Sequence, residues 1–211
     1  NTICVVNEEH KRISIWFKAN QLSLNVNKTH YMVFSAKNVE IQQEVKIDDA
    51  VLERVKTTTF LGVKIDDKLT WRDHIQWINN KVSKTLGVFY KLRHSFTRTW
   101  LLKLYNLLVL PYLNYCNIIW CSAASSILSC LNVSQRKVLK ISLNVPPRTP
   151  TQEVHNMSKT MKLKDIHCVH TAIFMYSETC YYDHLCIKTT SLIRPPFFSP
   201  LDNILGIFKP L

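Results

Sequence analysis

The segment from Arg72 to His94 constrains this chain more than any other. Ile75, Ile78, Val82, Leu86, Phe89 and Leu92 recur three and four residues apart, an apolar stripe at the helical period. A helix carrying that stripe has to bury it, so the chain needs further helices to cover it. At 100° per residue, Lys84 and Lys91 fall roughly opposite the stripe, with Lys81 and Trp77 on its flank. The core face and the basic face are therefore separate surfaces. Downstream, apolar runs predict helices at Thr97–Leu110, Pro111–Cys121 and Ser126–Leu143, with Pro111 tolerated in a first turn. Pro146, Pro147 and Pro150 mark a linker, and a last helix is expected near Lys164–Tyr182. Pro195, Pro196, Pro200 and Pro210 break up the tail.

The upstream part reads differently. Glu8–Asn20 predicts an amphipathic helix with Ile13, Trp16 and Phe17 on one side. Strand-like runs follow at His30–Phe34, Val45–Ile47, Val51–Val55 and Thr58–Ile65, with a polar stretch at Ser35–Asn38. Asp48-Asp49 and Asp66-Asp67 fall at turns, where Asp caps local backbone groups. The expected class is α+β, a small antiparallel β-hairpin region followed by a mainly helical bundle. The chain is 46% hydrophobic, enough to bury a core, and its three glycines exclude a Rossmann fingerprint, a P-loop and a collagen repeat.

Charge narrows the function. The chain carries 27 Lys and Arg against 15 Asp and Glu, a net +12. Residues 1–73 are nearly balanced, whereas His74 to Gln152 holds ten cations and no carboxylate. Such a stretch suits a polyanion, because each neutralised phosphate releases counterions. A solvated basic face with no specific ligand is the other reading. The seven cysteines are odd in number and irregularly spaced, which points to reduced thiols in an intracellular setting. On that reading the Asn-x-Ser/Thr matches at Asn27, Asn132 and Asn156 are chance. The charge-free run Leu104–Gln135 is interrupted by Pro111, several Asn and a serine cluster, so a buried helical hairpin is expected there rather than a membrane span.

Two constellations invite a catalytic or metal reading. The Asp48-Asp49 and Asp66-Asp67 pairs resemble metal-binding carboxylates, yet both sit at predicted turns with no third carboxylate motif upstream. His167, Cys168, His170, Cys180, His184 and Cys186 form a Cys/His cluster, but inside an apolar helical run instead of around a polar loop, so both zinc and plain packing stay open. No local signature of nucleophilic catalysis is present.

ISIWFKANQLSLNVNKTHYMVF (Ile13–Phe34) and TTFLGVKIDDKLTWRDHI (Thr58–Ile75) carry a more specific signal. The chain resembles the distal part of a non-LTR (LINE, jockey-like) retrotransposon reverse transcriptase. Trp16, Asn20, Leu22, Leu24, Asn25, Lys28 and Thr29 match one family pattern. Phe60, Leu61, Gly62, Asp66, Leu69, Trp71, His74 and Ile75 match a second. LYNLLVLPYLNYCNIIW and QRKVLKISLNVPPRTPT follow the family's helical continuation, so the resemblance spans about residues 8 to 152.

The resemblance implies an organisation. Residues 1–67 would be the C-terminal part of a polymerase palm with a primer-grip-like hairpin, residues 68–145 a basic thumb-like helical region, and residues 146–211 a Pro-punctuated segment of unknown role. The chain opens Asn1-Thr2-Ile3 with its first methionine at Met32, so it is expected to begin inside a longer reading frame. The family's catalytic aspartates lie upstream of the Trp16 helix and are missing here. The fragment alone is therefore expected to be inactive, and the Mg²⁺ of the parent RNA-directed DNA polymerase has no place in it.

What remains would support an RNA template and DNA primer, held as an RNA–DNA hybrid, together with the missing upstream polymerase. Lys28 would serve as general acid toward departing pyrophosphate. Phe60, Leu61 and Gly62 would form the primer grip. Lys81, Lys84, Lys91, Arg93 and Arg98 would meet nucleic acid, and Trp71 and His74 would cap and pack the long helix. Nucleus and cytoplasm are the expected compartments, with no membrane. A non-enzymatic nucleic-acid-binding module derived from such a polymerase, or a structural helical protein with an incidental basic surface, are the rival readings.

Overall fold

A computed structural model of the chain describes residues 2–35, 43–48 and 50–186. It is a mainly helical α+β structure. The chain divides into two units, Asn1–His167 and Cys168–Leu211.

The first unit opens with helix α1 (Thr2–Ala19), a 3₁₀ turn at Val26–Lys28, and six short strands. These are β1 (His30–Tyr31), β2 (Lys46–Ile47), β3 (Ala50–Val51), β4 (Glu53–Arg54), β5 (Thr57–Phe60) and β6 (Val63–Asp66). Among the described residues they pair as three two-stranded ladders. β2–β3 and β5–β6 are antiparallel hairpins, while β1 pairs with β4 in parallel, His30 opposite Glu53. The expected strand over Thr58–Ile65 is thus two strands, folded back at Leu61-Gly62 with Phe60 opposite Val63.

Helix α1 departs from its expected face. Ile13 and Trp16 are exposed, at 44% and 58%. The third residue of that face, Phe17, is half-buried and continues an inward stripe of Ile3, Val6, Asn7, His10 and Ser14, spaced three and four apart and half polar. Asn7 bridges the Glu44 carbonyl and the Lys46 N–H (3.1 and 2.9 Å), and His10 Nδ1 donates to the Lys46 carbonyl. Ile3 and Val6 join a small apolar cluster around buried Val45, Ile47 and Leu52. Hydrogen-bonding side chains at helical spacing docked the helix where an apolar moment pointed elsewhere.

The rest is helical: α2 (Arg72–Leu92), α3 (Arg98–Leu108), α4 (Leu110–Asn114), α5 (Asn117–Trp120), α6 (Ser125–Leu143), α7 (Thr151–Ser158) and α8 (Leu163–Cys186). The predicted stripe of α2 faces inward, with Ile75, Ile78, Val82 and Phe89 fully buried against the main core. That core also takes Tyr105, Leu113, Trp120, Leu131 and Leu139, and continues past residue 145 through Val154, Leu163 and Ile166. The predicted Pro111–Cys121 helix is broken in two. Cys116 adopts a left-handed backbone (φ 49°), Trp120 Nε1 donates to the Tyr115 carbonyl, and Asn117 Nδ2 to the Leu113 carbonyl. Side-chain donors there satisfy carbonyls that a continuous helix would have used.

The Pro-rich linker ends sooner than expected. Pro150 leads directly into α7, which buries Val154, His155 and Ser158. No helix among the described residues is long and apolar enough to cross a membrane. In the second unit only the helical run of α8 to Cys186 is described. The side chains of Cys180, His184 and Cys186, and the expected breaks from Pro195 to Pro210, lie outside the described residues, as do Ala36–Asn38 and Asp49.

Candidate nucleic-acid interface

The turn of the β5–β6 hairpin is built from two residues with left-handed backbones, Leu61 (φ 47°) and Gly62 (φ 79°). Paired positive φ values match the right-handed twist of the flanking strands and turn the chain in two residues. Gly62 meets this without a Cβ, whereas Leu61 carries strain of about 1–2 kcal/mol. A brace holds it. Tyr115 Oη, between α4 and α5, donates to the Leu61 carbonyl at 2.5 Å, and its ring lies beside Gly62. Phe60 and Leu61 are 63% and 73% exposed, so the tip presents apolar side chains to the outside.

The hairpin leads into α2 through a cap. Asp66 accepts the backbone N–H of Thr70 and of Trp71, at 2.8 and 2.9 Å, which stops the chain before the helix with Trp71 left-handed and buried. Burial alone would raise the Asp66 carboxyl, but the N–H groups of Thr70 and Trp71 outweigh it and hold it below the usual range. One turn on, His74 is fully buried, stacked on Trp77 and edge-on to Trp120. Its Nδ1 accepts the Lys64 N–H at 3.3 Å. Burial first, and then the charge of Lys64, lower its proton affinity below the ordinary histidine value.

The cations expected to meet nucleic acid fall into three groups. Lys84 and Lys91 are exposed on the outer face of α2, with no hydrogen bond or ion pair among the described residues. Lys81 lies over Trp77 (5.5 Å) and Arg93 over Tyr90 (5.7 Å), each still exposed. Arg98 does something else. Its Nη2 donates to the Leu143 carbonyl at 2.9 Å, tying the start of α3 to the end of α6, so its guanidinium serves the fold. Lys28 ends the 3₁₀ turn, exposed, in an element separate from the hairpin tip.

Asp66 and Asp48, one from each aspartate pair, already have protein partners. Both Asp66 oxygens are taken by backbone N–H groups, and Asp48 Oδ2 accepts from Ser14 Oγ and Lys18 Nζ at 2.8 and 3.2 Å. The capping expected of Asp66 is what its geometry does; Asp48 instead pins α1 to the β2–β3 turn. Among the described residues no three His, Cys, Asp or Glu side chains converge on a metal position.

Sequence reasoning missed Tyr115, Tyr105 and Gln135. Buried Gln135 donates to Tyr105 Oη and to the Met161 carbonyl, and burial pushes the Tyr105 hydroxyl up to about 12. Nothing local in the sequence marks Tyr115 as the support of a turn more than fifty residues upstream. Comparison with known protein families, with curated proteins and with solved structures finds no match.

Proposed function

We propose that this chain is the distal part of a non-LTR retrotransposon reverse transcriptase, the palm end and thumb, which supports a template–primer hybrid without carrying the catalytic aspartates. The observation that carries the reading is the hairpin tip. Its two turn residues share left-handed backbones and an exposed surface, and a tyrosine from the helical region holds them. A turn that only linked two strands would need neither the brace nor the exposed Phe60 and Leu61. The tip would meet the primer strand through backbone, as the resemblance implies for Phe60, Leu61 and Gly62. The acid-free helices would hold phosphates through Lys84 and Lys91, with Lys81 beside them.

Two measurements test this. The purified chain should bind an RNA–DNA hybrid with little sequence preference, and it should extend no primer with Mg²⁺ or Mn²⁺. Changing Lys84 and Lys91 together to Gln leaves the buried stripe of α2 intact. It should flatten the slope of log affinity against log salt by about 0.7–0.9 for each phosphate no longer neutralised. An unchanged affinity and slope would remove this face from the reading, and template-dependent extension would overturn its catalytic half.

A further inference from the structure

We infer that the corner between α2 and α3 is a stacking surface for the unpaired bases of a single-stranded polynucleotide. Tyr90, in the last turn of α2, and Trp100, in the first turn of α3, are 50% and 56% exposed. Each ring has a cation three residues on, Arg93 at 5.7 Å and Lys103 at 4.4 Å. Helical spacing puts ring and cation on the same side, and half of each aromatic residue still meets water with its cation in place.

A nucleotide asks for this pairing. Its base offers a π-face to an aromatic ring, and its phosphate needs a cation beside that ring. The surroundings favour the same ligand, since no carboxylate occurs between Asp73 and Glu153 to repel a phosphate. The outward stripe of α3, Trp100, Lys103 and Leu107, is likewise free of acid. A duplex fits poorly, because its bases are already stacked on each other and leave nothing for Tyr90 and Trp100. The ligand is therefore single-stranded, and the surface is distinct from the Lys84 and Lys91 face assigned to a hybrid. A polymerase origin is not needed for either ring to act this way.

The test uses the full chain and a labelled oligo(dT) of about a dozen nucleotides, beside an abasic strand with the same number of phosphates. The intact strand should bind at least about fivefold more tightly than the abasic one. Trp100→Ala should lose about fivefold or more on the intact strand, at an unchanged salt slope, and Trp100→Phe should recover most of it. Tyr90→Ala provides a second, independent loss should Trp100→Ala alter the fold by circular dichroism. Lys103→Gln should flatten the slope by about 0.7. Equal binding of abasic and intact strands by the wild-type chain overturns the inference without needing any variant. So does a Trp100→Ala chain that binds like wild type, including one that merely dissociates a dimer, which would make this corner a protein interface. Hybrid affinity measured on the Lys84 and Lys91 double variant reports separately on the proposed function.

Discussion

The region up to Phe60 and the region from Val63 to Ile166 solve the same folding problem with unequal means. Upstream, three buried apolar residues, Val45, Ile47 and Leu52, anchor a cluster, and the docking of α1 relies on Asn7, His10 and Ser14. Downstream, one continuous core joins six helices and the start of α8. The difference shows what a hydrogen-bonded seam contributes. It fixes register and direction, but each bond adds only about 0.5–1.5 kcal/mol, because water competes for the same groups. Apolar burial scales with area and supplies most of the cohesion. The upstream region should therefore open at a lower free energy than the helical one.

The largest expected effect comes from testing that directly. Leu131→Ala empties part of the main core and should cost about 2–5 kcal/mol in denaturant melts. Ile47→Ala should leave the main transition almost in place and remove amide protection only from α1 and β1–β4. Hydrogen exchange read by mass spectrometry checks both. If Ile47→Ala moves the global midpoint as far as Leu131→Ala does, the two regions are one cooperative unit and the comparison fails.

Acid should separate the regions next. His74 and His155 both lie in the helical region with proton affinities lowered, by burial first in each case. A group whose folded value is depressed adds stability that is complete above its ordinary value and lost as pH falls through the folded one. For these histidines the loss starts below an ordinary 6.5, so mild acid should weaken the helical core first. Asp48, lowered by the Ser14 hydroxyl and then Lys18, belongs to the upstream seam and should hold until pH drops below 3.8. Thermal melts from pH 7.5 down to 5 check the order, and His74→Phe should blunt the mild-acid step. A pH-independent main transition over that range would show that neither histidine resists protonation.

Apolar periodicity made the helical region legible. The stripe of α2 and the extents of α3 and α6 follow from residues that had to be buried together, and packing then agreed with pattern. The upstream region was less legible because Ile13 and Trp16 give α1 a moment its fold does not use. Asn7, His10 and Ser14 carry no signal until their partners at Glu44, Lys46 and Asp48 are known. At the site, the outward placement of Lys84 and Lys91 on α2 could be read from sequence, whereas the turn at Leu61-Gly62 falls inside an expected strand. The brace from Tyr115 and the diversion of Arg98 to Leu143 join residues more than forty positions apart, which no local pattern records.

The hairpin tip joins the two regions, and weakening it should cost less. Tyr115→Phe removes one hydrogen bond, about 0.5–1.5 kcal/mol, and leaves the aromatic ring beside Gly62. Gly62→Ala has room for its methyl, 3.7 Å from the Tyr115 ring, but must hold φ 79°, for about 1 kcal/mol. If the tip supports a primer strand, both variants should weaken hybrid binding by more than their effect on stability, in proportion to the disorder of Leu61 and Gly62. Loss of stability with unchanged hybrid affinity would leave the hairpin a structural joint only.

The smallest effect on stability should come from the outer face of α1. Ile15 and Trp16 are 67% and 58% exposed, on a helix whose inward stripe docks partly through Asn7 and His10. Residues that meet water in the folded chain lose little when made polar, so the double change Ile15→Gln with Trp16→Gln should move the melting midpoint by no more than about 0.5 kcal/mol of stability. Solubility is a different matter, because an exposed apolar face on a weakly held helix drives association between chains. The double variant should stay monomeric at concentrations where the parent chain associates, as read by light scattering. Equal scattering would mean that the exposed α1 face is not what drives association. A stability loss above about 1 kcal/mol would mean that Ile15 and Trp16 are covered in solution. The upstream region would then owe its cohesion to an apolar contact after all, and the contrast with the helical core would narrow to one of degree.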